Sequence, residues 1–122
     1  MTHSVLIVDD SRVSRMMIKA RMLAVCPDWT YLEAASGDEA LKMVAASAPD
    51  YLTMDMNMPG LTGFEAAEQI RALAPSVRMV MLTANIQESS RVRAESMGLS
   101  FVQKPITDAS IKQVVDHFME TS

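Results

Sequence analysis

The polar residues best placed to do chemistry in this chain each follow a short apolar run. They are three carboxylates, a hydroxyl and an ammonium, carried by Asp9, Asp10, Asp55, Thr83 and Lys104. Carboxylates that share one site repel one another, and a divalent cation is the simplest means of keeping all of them ionised. Oxygen ligands of this kind favour Mg²⁺ or Mn²⁺. An ammonium and a hydroxyl beside the cation would stabilise charge on a phosphoryl group carried by one carboxylate.

The runs that precede these residues predict the strands of a parallel sheet. The apolar runs cover 4–8, 29–34, 51–54, 77–82 and 100–103, and the second and fifth are more mixed, as is typical of edge strands. Helix starts are indicated between them by capping-box spacings at Ser36–Glu39 and Thr62–Glu65, and by caps at Asn85 and Thr107. Five βα units predict an α/β sandwich, in which strand carboxyl ends share one edge and bind ligands.

Length, charge and cysteine content narrow the class of protein. The chain has 122 residues, of which 49% are hydrophobic and 21% charged, so we expect one domain over 1–122 with no output domain. The net charge of −4 argues against nucleic acid as a partner, and no apolar segment is long enough for membrane insertion. The single cysteine, Cys26, cannot form an internal disulfide, and a cytoplasmic location is expected.

Four motifs give the chain a resemblance to a known family. The segments "VLIVDDS", "MDMNMPGLTG", "MLTA" and "FVQKP" occur in this order and at family-like spacing. The chain therefore resembles the receiver domain of two-component response regulators, most closely the stand-alone CheY-like kind. The resemblance covers nearly the whole chain, and it implies a flavodoxin-like (βα)5 fold with a doubly wound sheet of order 2-1-3-4-5.

The resemblance also implies a phosphoacceptor and a metal site. Asp55 would accept a phosphoryl group from a histidine kinase, and the protein would be a signalling domain rather than a turnover enzyme. Asp10 and Asp55 would hold Mg²⁺ together with the backbone carbonyl of Asn57, and Asp9 would assist through water.

Further positions would bind the phosphoryl group and transmit its presence. Lys104, before a cis-proline bond, and Thr83 would bind the phosphoryl oxygens, and the small Ala84 would leave the pocket open. Thr83 would move toward the phosphoryl group and Phe101 would turn into the vacated space, which would reshape the surface of helix 4, strand 5 and helix 5. Two positions would tune the loss of the phosphoryl group, Asn57 and Asn85.

The expected partners follow from the same resemblance. A sensor histidine kinase or histidine phosphotransfer protein would dock on helix 1, whose residues Ser11, Arg12, Ser14, Arg15 and Lys19 predict a polar, basic face. A monomer would then bind a protein target such as a flagellar switch component, in control of chemotaxis or motility. A phosphorelay shuttle or a stress-response adaptor would have much the same sequence.

Two other classes of protein share part of this pattern. Phosphatases of the haloacid dehalogenase type also use an aspartyl nucleophile, but they need a second aspartate two residues later, where this chain has Asn57. Soft sulfur ligands at Met54, Met56 and Met58 could instead hold copper. Since the chain has 12 methionines, we interpret these three as packing residues of a strand and the following loop.

Overall fold

The computed structural model describes residues 3–56, 58, 60–84 and 87–120. Five strands alternate with five helices in this part of the chain. The strands are β1 Ser4–Val8, β2 Thr30–Ala34, β3 Tyr51–Met54, β4 Arg78–Thr83 and β5 Ser100–Gln103. The helices are α1 Arg12–Val25, α2 Gly37–Ala46, α3 Gly63–Leu73, α4 Glu88–Ser96 and α5 Asp108–Met119. Every predicted strand is confirmed, with its ends within one residue of the prediction.

The strands form one parallel sheet in the order β2-β1-β3-β4-β5. In β1, Val8 pairs with Ala34 of β2 on one side and with Met54 of β3 on the other. In β3, Met54 pairs in turn with Met81 of β4. This register ends β1 and β3 at the same level, while β4 continues two residues further to Thr83. The carboxyl ends of the three central strands thus meet at one edge of the sheet. The predicted doubly wound fold and its strand order are confirmed.

Each face of the sheet is covered by its own set of helices. Strand side chains alternate between the faces, so Leu6 and Val8 enter one core while Val5 and Ile7 enter the other. The first core is closed by α2, α3 and α4, and the second by α1 and α5. No helix in the described ranges is long and apolar enough to cross a membrane.

The methionines around Asp55 belong to the core, as the packing interpretation predicts. Met54 is fully buried, and Met56 and Met58 are each 7% exposed. All three lie in the core closed by α2, α3 and α4. Their side chains therefore pack against other apolar groups.

Most helix starts agree with the capping signals. Thr62 and Glu65 form a complete capping box, while Ser36 accepts a hydrogen bond from the amide of Glu39. Thr107 caps α5 with Ser110 as its reciprocal partner. The fourth helix begins at Glu88 and its N-cap residue is Gln87. The predicted cap Asn85 lies outside the described residues.

Candidate functional site

Three carboxylates meet at the carboxyl ends of β1 and β3. The amide of Asp9 donates to the carbonyl of Ala34 at 3.1 Å, and the amide of Asp55 donates to the carbonyl of Val8 at 3.0 Å. The parallel ladder therefore continues one residue beyond each strand and holds both acids in register. Each of Asp9, Asp10 and Asp55 offers a carboxylate oxygen, and these oxygens lie within 4.8 Å of one another. Asp9 and Asp55 are buried, whereas Asp10 is exposed.

Asp9 is the most deeply buried of the three acids, with 1% of its surface exposed. Its Oδ1 accepts a hydrogen bond from the amide of Ser11 at 2.9 Å, and its Oδ2 accepts one from Lys104 Nζ at 2.8 Å. A buried carboxylate is tolerated when charged or polar donors satisfy it, and both of its oxygens have such a donor here. Asp9 thus serves as the anchor of the β1–α1 turn.

Lys104 follows the edge strand β5, and its side chain extends to the acid cluster at the ends of β1 and β3. Its amide donates to the carbonyl of Thr83 at 2.9 Å, which continues the β4–β5 ladder, and the Lys104–Pro105 peptide bond is cis, as the resemblance implies. Its Nζ lies 2.8 Å from Asp9 Oδ2, 3.9 Å from Asp55 Oδ2 and 3.4 Å from Ser14 Oγ. The ammonium therefore sits between the two buried acids and lies closer to Asp9.

The hydroxyl residue at the end of β4 lies deeper than the residue that follows it. Thr83 is fully buried, and Ala84 is exposed. Since β4 lies between β3 and β5, Thr83 ends, and Ala84 follows, the strand that separates Asp55 from Lys104. The carboxyl edge of the sheet thus carries all of the chemistry-bearing residues that the sequence singles out and the structure describes.

Gly63 allows the next helix to approach the acid cluster. A Cβ atom at this position would lie 2.4 Å from the carbonyl oxygen of Asp55 and 2.7 Å from Met56 Cα. The amide of Gly63 donates to the carbonyl of Met56 at 3.1 Å. No side chain could be accommodated here without moving the backbone next to Asp55, a constraint that the sequence motif alone does not explain.

A second cation, Arg15, binds the backbone of the β1–α1 turn. Its Nη1 donates to the carbonyl of Asp9 at 2.7 Å, and its Nε donates to Glu33 Oε1 at 3.1 Å. The side chains of Arg15 and Glu33 are 14% and 33% exposed. The sequence pattern predicts only a position on the surface of α1 for Arg15. Its place one helical turn after the cap Ser11 follows from the sequence, but its ion pair with Glu33 of β2 does not.

The predicted polar and basic face of α1 is only partly exposed, and apolar residues share the solvent-facing side with it. Ser11 and Arg12 are exposed, whereas Ser14, Arg15 and Lys19 are half-buried. The outward side also presents Val13 (65% exposed), Met16 (57%) and Leu23 (40%). The prediction did not include these apolar residues; only Ile18 and Met22 of this helix are buried, and the other large apolar residues face solvent.

The predicted switch residue lies on the edge strand β5. Phe101 pairs with Met81 of β4 and is half-buried against the core closed by α2, α3 and α4. It lines a cleft of about 270 Å³ together with Arg91, Gln103 and Gln113. The tuning positions Asn57 and Asn85 lie outside the described residues.

The acid cluster has the ligands that a hard divalent cation requires. Three carboxylates converge, two of them buried, and Lys104 is the only ammonium that forms an ion pair with them in the described ranges. Three negative charges exceed one ammonium by two, and Mg²⁺ or Mn²⁺ supplies that charge with a preference for oxygen. The donor set therefore fits either ion.

The chain matches proteins of one family over most of its length. A sequence model described as "Response regulator receiver domain" matches residues 5–116. The chain is 32% identical over 117 residues to chemotaxis protein CheY of Bacillus subtilis (strain 168), which covers 95% of this chain and 97% of that protein. It is 38% identical over 109 residues to protein-glutamate methylesterase/protein-glutamine glutaminase 2 of Anaeromyxobacter dehalogenans (strain 2CP-C), covering 88% of this chain and 31% of that protein.

Solved structures agree with these sequence relatives. Response regulator protein TrrA of Thermotoga maritima, solved in complex with Mg²⁺ and BeF, superimposes with a TM-score of 0.82 at 26% identity. The match covers 95% of this chain and 98% of that one. The chain thus spans nearly all of two of these proteins and about a third of the methylesterase.

Proposed function

The chain belongs to the response regulator receiver domain family, and from this premise we propose that Asp55 is the residue that accepts a phosphoryl group. The supporting observation is the convergence of Asp9, Asp10 and Asp55 beside Lys104 at the carboxyl edge of the sheet. An Oδ of Asp55 attacks the phosphorus of a phosphohistidine, an O–P bond forms, and the N–P bond breaks. The donor imidazole leaves with the electron pair of that bond and takes up a proton.

The residues beside Asp55 would bind Mg²⁺. Asp10 and Asp55, the backbone carbonyl of Asn57, and Asp9 through water would hold Mg²⁺. The cation supplies charge that offsets the carboxylates and the phosphoryl oxygens.

The phosphoryl oxygens also need hydrogen-bond donors from the protein. The Lys104 ammonium needs only a small shift from Asp9 toward Asp55 to donate to a phosphoryl oxygen. Thr83 donates its hydroxyl, and Ala84, as a small residue, leaves room for the group. Asn57 and Asn85 affect the rate at which the phosphoryl group is later lost. Neither side chain is a general base, so water attacks the phosphoryl group without base catalysis from these two positions.

The signal is read at the surface of α4, β5 and α5. Phosphorylation adds charge and acceptor oxygens at Asp55, and Thr83 moves toward them. Phe101 then moves further into the space beside β4, which changes the cleft that it lines with Arg91 and Gln113. Phosphorylation of Asp55 thus shifts the surface of α4, β5 and α5 between two conformations. A partner binds the surface in one of these conformations.

The outward face of α1 is the proposed docking site for the phosphodonor. Val13, Met16, Ala20 and Leu23 follow one another at spacings of three, four and three residues, which is the apolar seam of a heptad pattern. The helix begins two residues after Asp10, so a helix packed on this seam lies beside the acid cluster. Contiguous exposed apolar surface of this kind is typical of interaction sites.

The residues beside the seam indicate the charge of the donor surface. Arg12 and Lys19 each precede a seam residue and flank the seam on one side. Two copies packed in antiparallel orientation would bring these cations together, which supports a monomer, whereas a donor helix with acidic flanks would attract them. We therefore assign to this face a histidine kinase or phosphotransfer protein with acidic residues beside its apolar contact.

The wider assignment follows the relatives with the most complete matches. A cytoplasmic protein that links a histidine kinase to a protein target in chemotaxis or motility is the function we propose, with the 122 residues acting as a single receiver domain. A phosphorelay shuttle is the second candidate, because the α1 seam would equally accept a phosphotransfer protein as its next partner. State-dependent binding to a motor component supports the first, and phosphoryl transfer onward to a histidine supports the second.

Substitution of the acceptor tests the central assignment. Asp55→Asn should abolish uptake of a phosphoryl group from acetyl phosphate in Mg²⁺, because an amide oxygen is too weak a nucleophile to replace the carboxylate. Intact-protein mass spectrometry would follow the added phosphoryl mass. Asp116→Asn, an exposed acid of α5, is the matched control and should be labelled like the wild type. Labelling of Asp55→Asn at the wild-type rate would overturn the assignment.

A further inference from the structure

A half-buried ion pair holds the turn that carries two of the three acids. Arg15, in the first turn of α1, extends its guanidinium under the end of β1. One nitrogen, Nη1, donates to the carbonyl oxygen of Asp9 at 2.7 Å, while Nε donates to Glu33 of β2 at 3.1 Å. The pair thus connects a helix, the neighbouring strand and the β1–α1 turn at a single point.

The carbonyl that Arg15 binds belongs to the peptide group between Asp9 and Asp10. A peptide group is planar, so a hydrogen bond to its oxygen restrains the rotation of the whole group and thereby the position of the Asp10 Cα. The side chain of Asp9 is already held by Ser11 and Lys104. In contrast, the exposed carboxylate of Asp10 has no hydrogen bond or ion pair within the described ranges. Its position therefore depends on the backbone that precedes it.

We propose that Arg15, held by Glu33, is a positioning residue that places the Asp10 carboxylate for cation binding in the acid cluster. The inference rests on the proposed function, since it assumes that the cluster holds Mg²⁺. A guanidinium suits this task because its nitrogens point in fixed, separate directions. One N–H binds the turn while another is oriented by a carboxylate, which is the arrangement by which outer partners orient the ligands of a metal site.

Simple electrostatics and positioning predict opposite effects at Arg15. If the guanidinium acted only through its charge, removing it would strengthen Mg²⁺ binding, because a nearby cation repels the metal. If it positions the turn, removing it weakens Mg²⁺ binding. Arg15→Lys keeps the charge, but one ammonium nitrogen cannot occupy the places of Nε and Nη1 together. Positioning therefore predicts weaker binding for the lysine variant as well, and electrostatics predicts no change.

The test is a Mg²⁺ titration followed by amide NMR shifts, on the wild type and the variants Arg15→Met, Arg15→Lys and Glu33→Gln. We expect affinity to fall on the order of tenfold in Arg15→Met, and by less in the other two. In the double variant Arg15→Met/Glu33→Gln the loss should equal that of Arg15→Met, because Glu33 acts through Arg15. Arg21→Met is the matched control, since it removes another α1 ion pair, with Asp108, and should leave Mg²⁺ affinity unchanged.

The outcomes separate this inference from the proposed function. Unchanged or stronger Mg²⁺ binding in Arg15→Met, with a folded protein by circular dichroism, would overturn the positioning role while leaving the acid cluster as the metal site. Additive losses from Arg15→Met and Glu33→Gln would also overturn it, since they would indicate independent charges. If Arg15→Met does not fold, Arg15→Lys and Glu33→Gln decide the matter alone. A wild type that fails to bind Mg²⁺ would instead count against the proposed function.

Discussion

Among the single residues of the site, Lys104 and Asp9 are the most strongly interdependent. The carboxylate is 1% exposed and the ammonium 2.8 Å away provides one of its two donors. Buried pairs contribute little relative to apolar replacements, but removal of one partner leaves an uncompensated charge. Two of the three acids, Asp9 and Asp55, pair with this one ammonium, so its loss would expose the repulsion within the cluster. A cation that binds the same acids would relieve it.

Lys104→Met should therefore destabilise the protein in the absence of divalent ions. We expect a loss of about 3 kcal/mol in the free energy of unfolding, measured by urea denaturation with a chelator present. Saturating Mg²⁺ should reduce the difference between the variant and the wild type. Lys112→Met, at an exposed position of α5, serves as the control and should change stability by less than about 0.5 kcal/mol. Equal effects of the two substitutions would contradict this account of the cluster.

At the scale of elements, α1 does two things with two different sides. Its inward side packs Ile18 and Met22 against the sheet, and Arg15 on the same side binds the acid turn. Its outward side carries the apolar seam that begins at Val13. The helix therefore connects the proposed donor surface to the acid cluster through its first turn. A charge placed on the seam would disturb docking without entering the site.

Met16→Glu should impair phosphoryl transfer from a protein donor and leave transfer from acetyl phosphate intact. A carboxylate on the seam would be desolvated against the donor, so we expect kcat/KM to fall by roughly tenfold, equivalent to about 1.4 kcal/mol. The assay would use a histidine kinase that phosphorylates the wild type. Met119→Glu places the same charge on an exposed methionine of α5, which is 55% exposed, and should behave like the wild type. Equal losses with both donors would place the defect in the site instead of the docking face.

At the scale of the whole molecule, the two ends of the sheet have different compositions. The carboxyl end carries the acids, whereas the amino end carries an aromatic cluster. Trp29 lies 5.3 Å from His3 and 5.2 Å from Tyr51, measured between ring centroids, and Tyr51 stacks on Phe118 at 4.6 Å. A strand of five residues separates these ends by roughly 16 Å. Packing at one end is thus remote from charge changes at the other.

The emission of Trp29, the only tryptophan, should therefore report unfolding but not cation binding. We expect Mg²⁺ to leave the emission spectrum unchanged at concentrations that shift the amide resonances near Asp55. Urea should redshift it as the cluster comes apart, which provides the positive control. A Mg²⁺-dependent change in emission would show that the acid cluster is coupled to the far end of the sheet.

The sequence by itself determined the elements, their order along the chain and the residues at the strand ends. Apolar runs and capping signals are local, so the five strands and the starts at Thr62 and Thr107 could be read directly. The strand order and the roles of Asp55, Thr83 and Lys104 came from the family resemblance. The order is now confirmed, and the roles remain predictions.

Only the tertiary structure decided which groups touch. The preference of Lys104 for Asp9 over Asp55, the close approach of Gly63 to Asp55, and the contact of Arg15 with Glu33 join residues from different elements. Such contacts depend on the register and spacing of packed elements, which no local pattern encodes. The same reason explains why the exposed apolar residues of α1 were not predicted. Which side of a helix is buried depends on the surface that it meets, and two apolar residues proved sufficient to cover it.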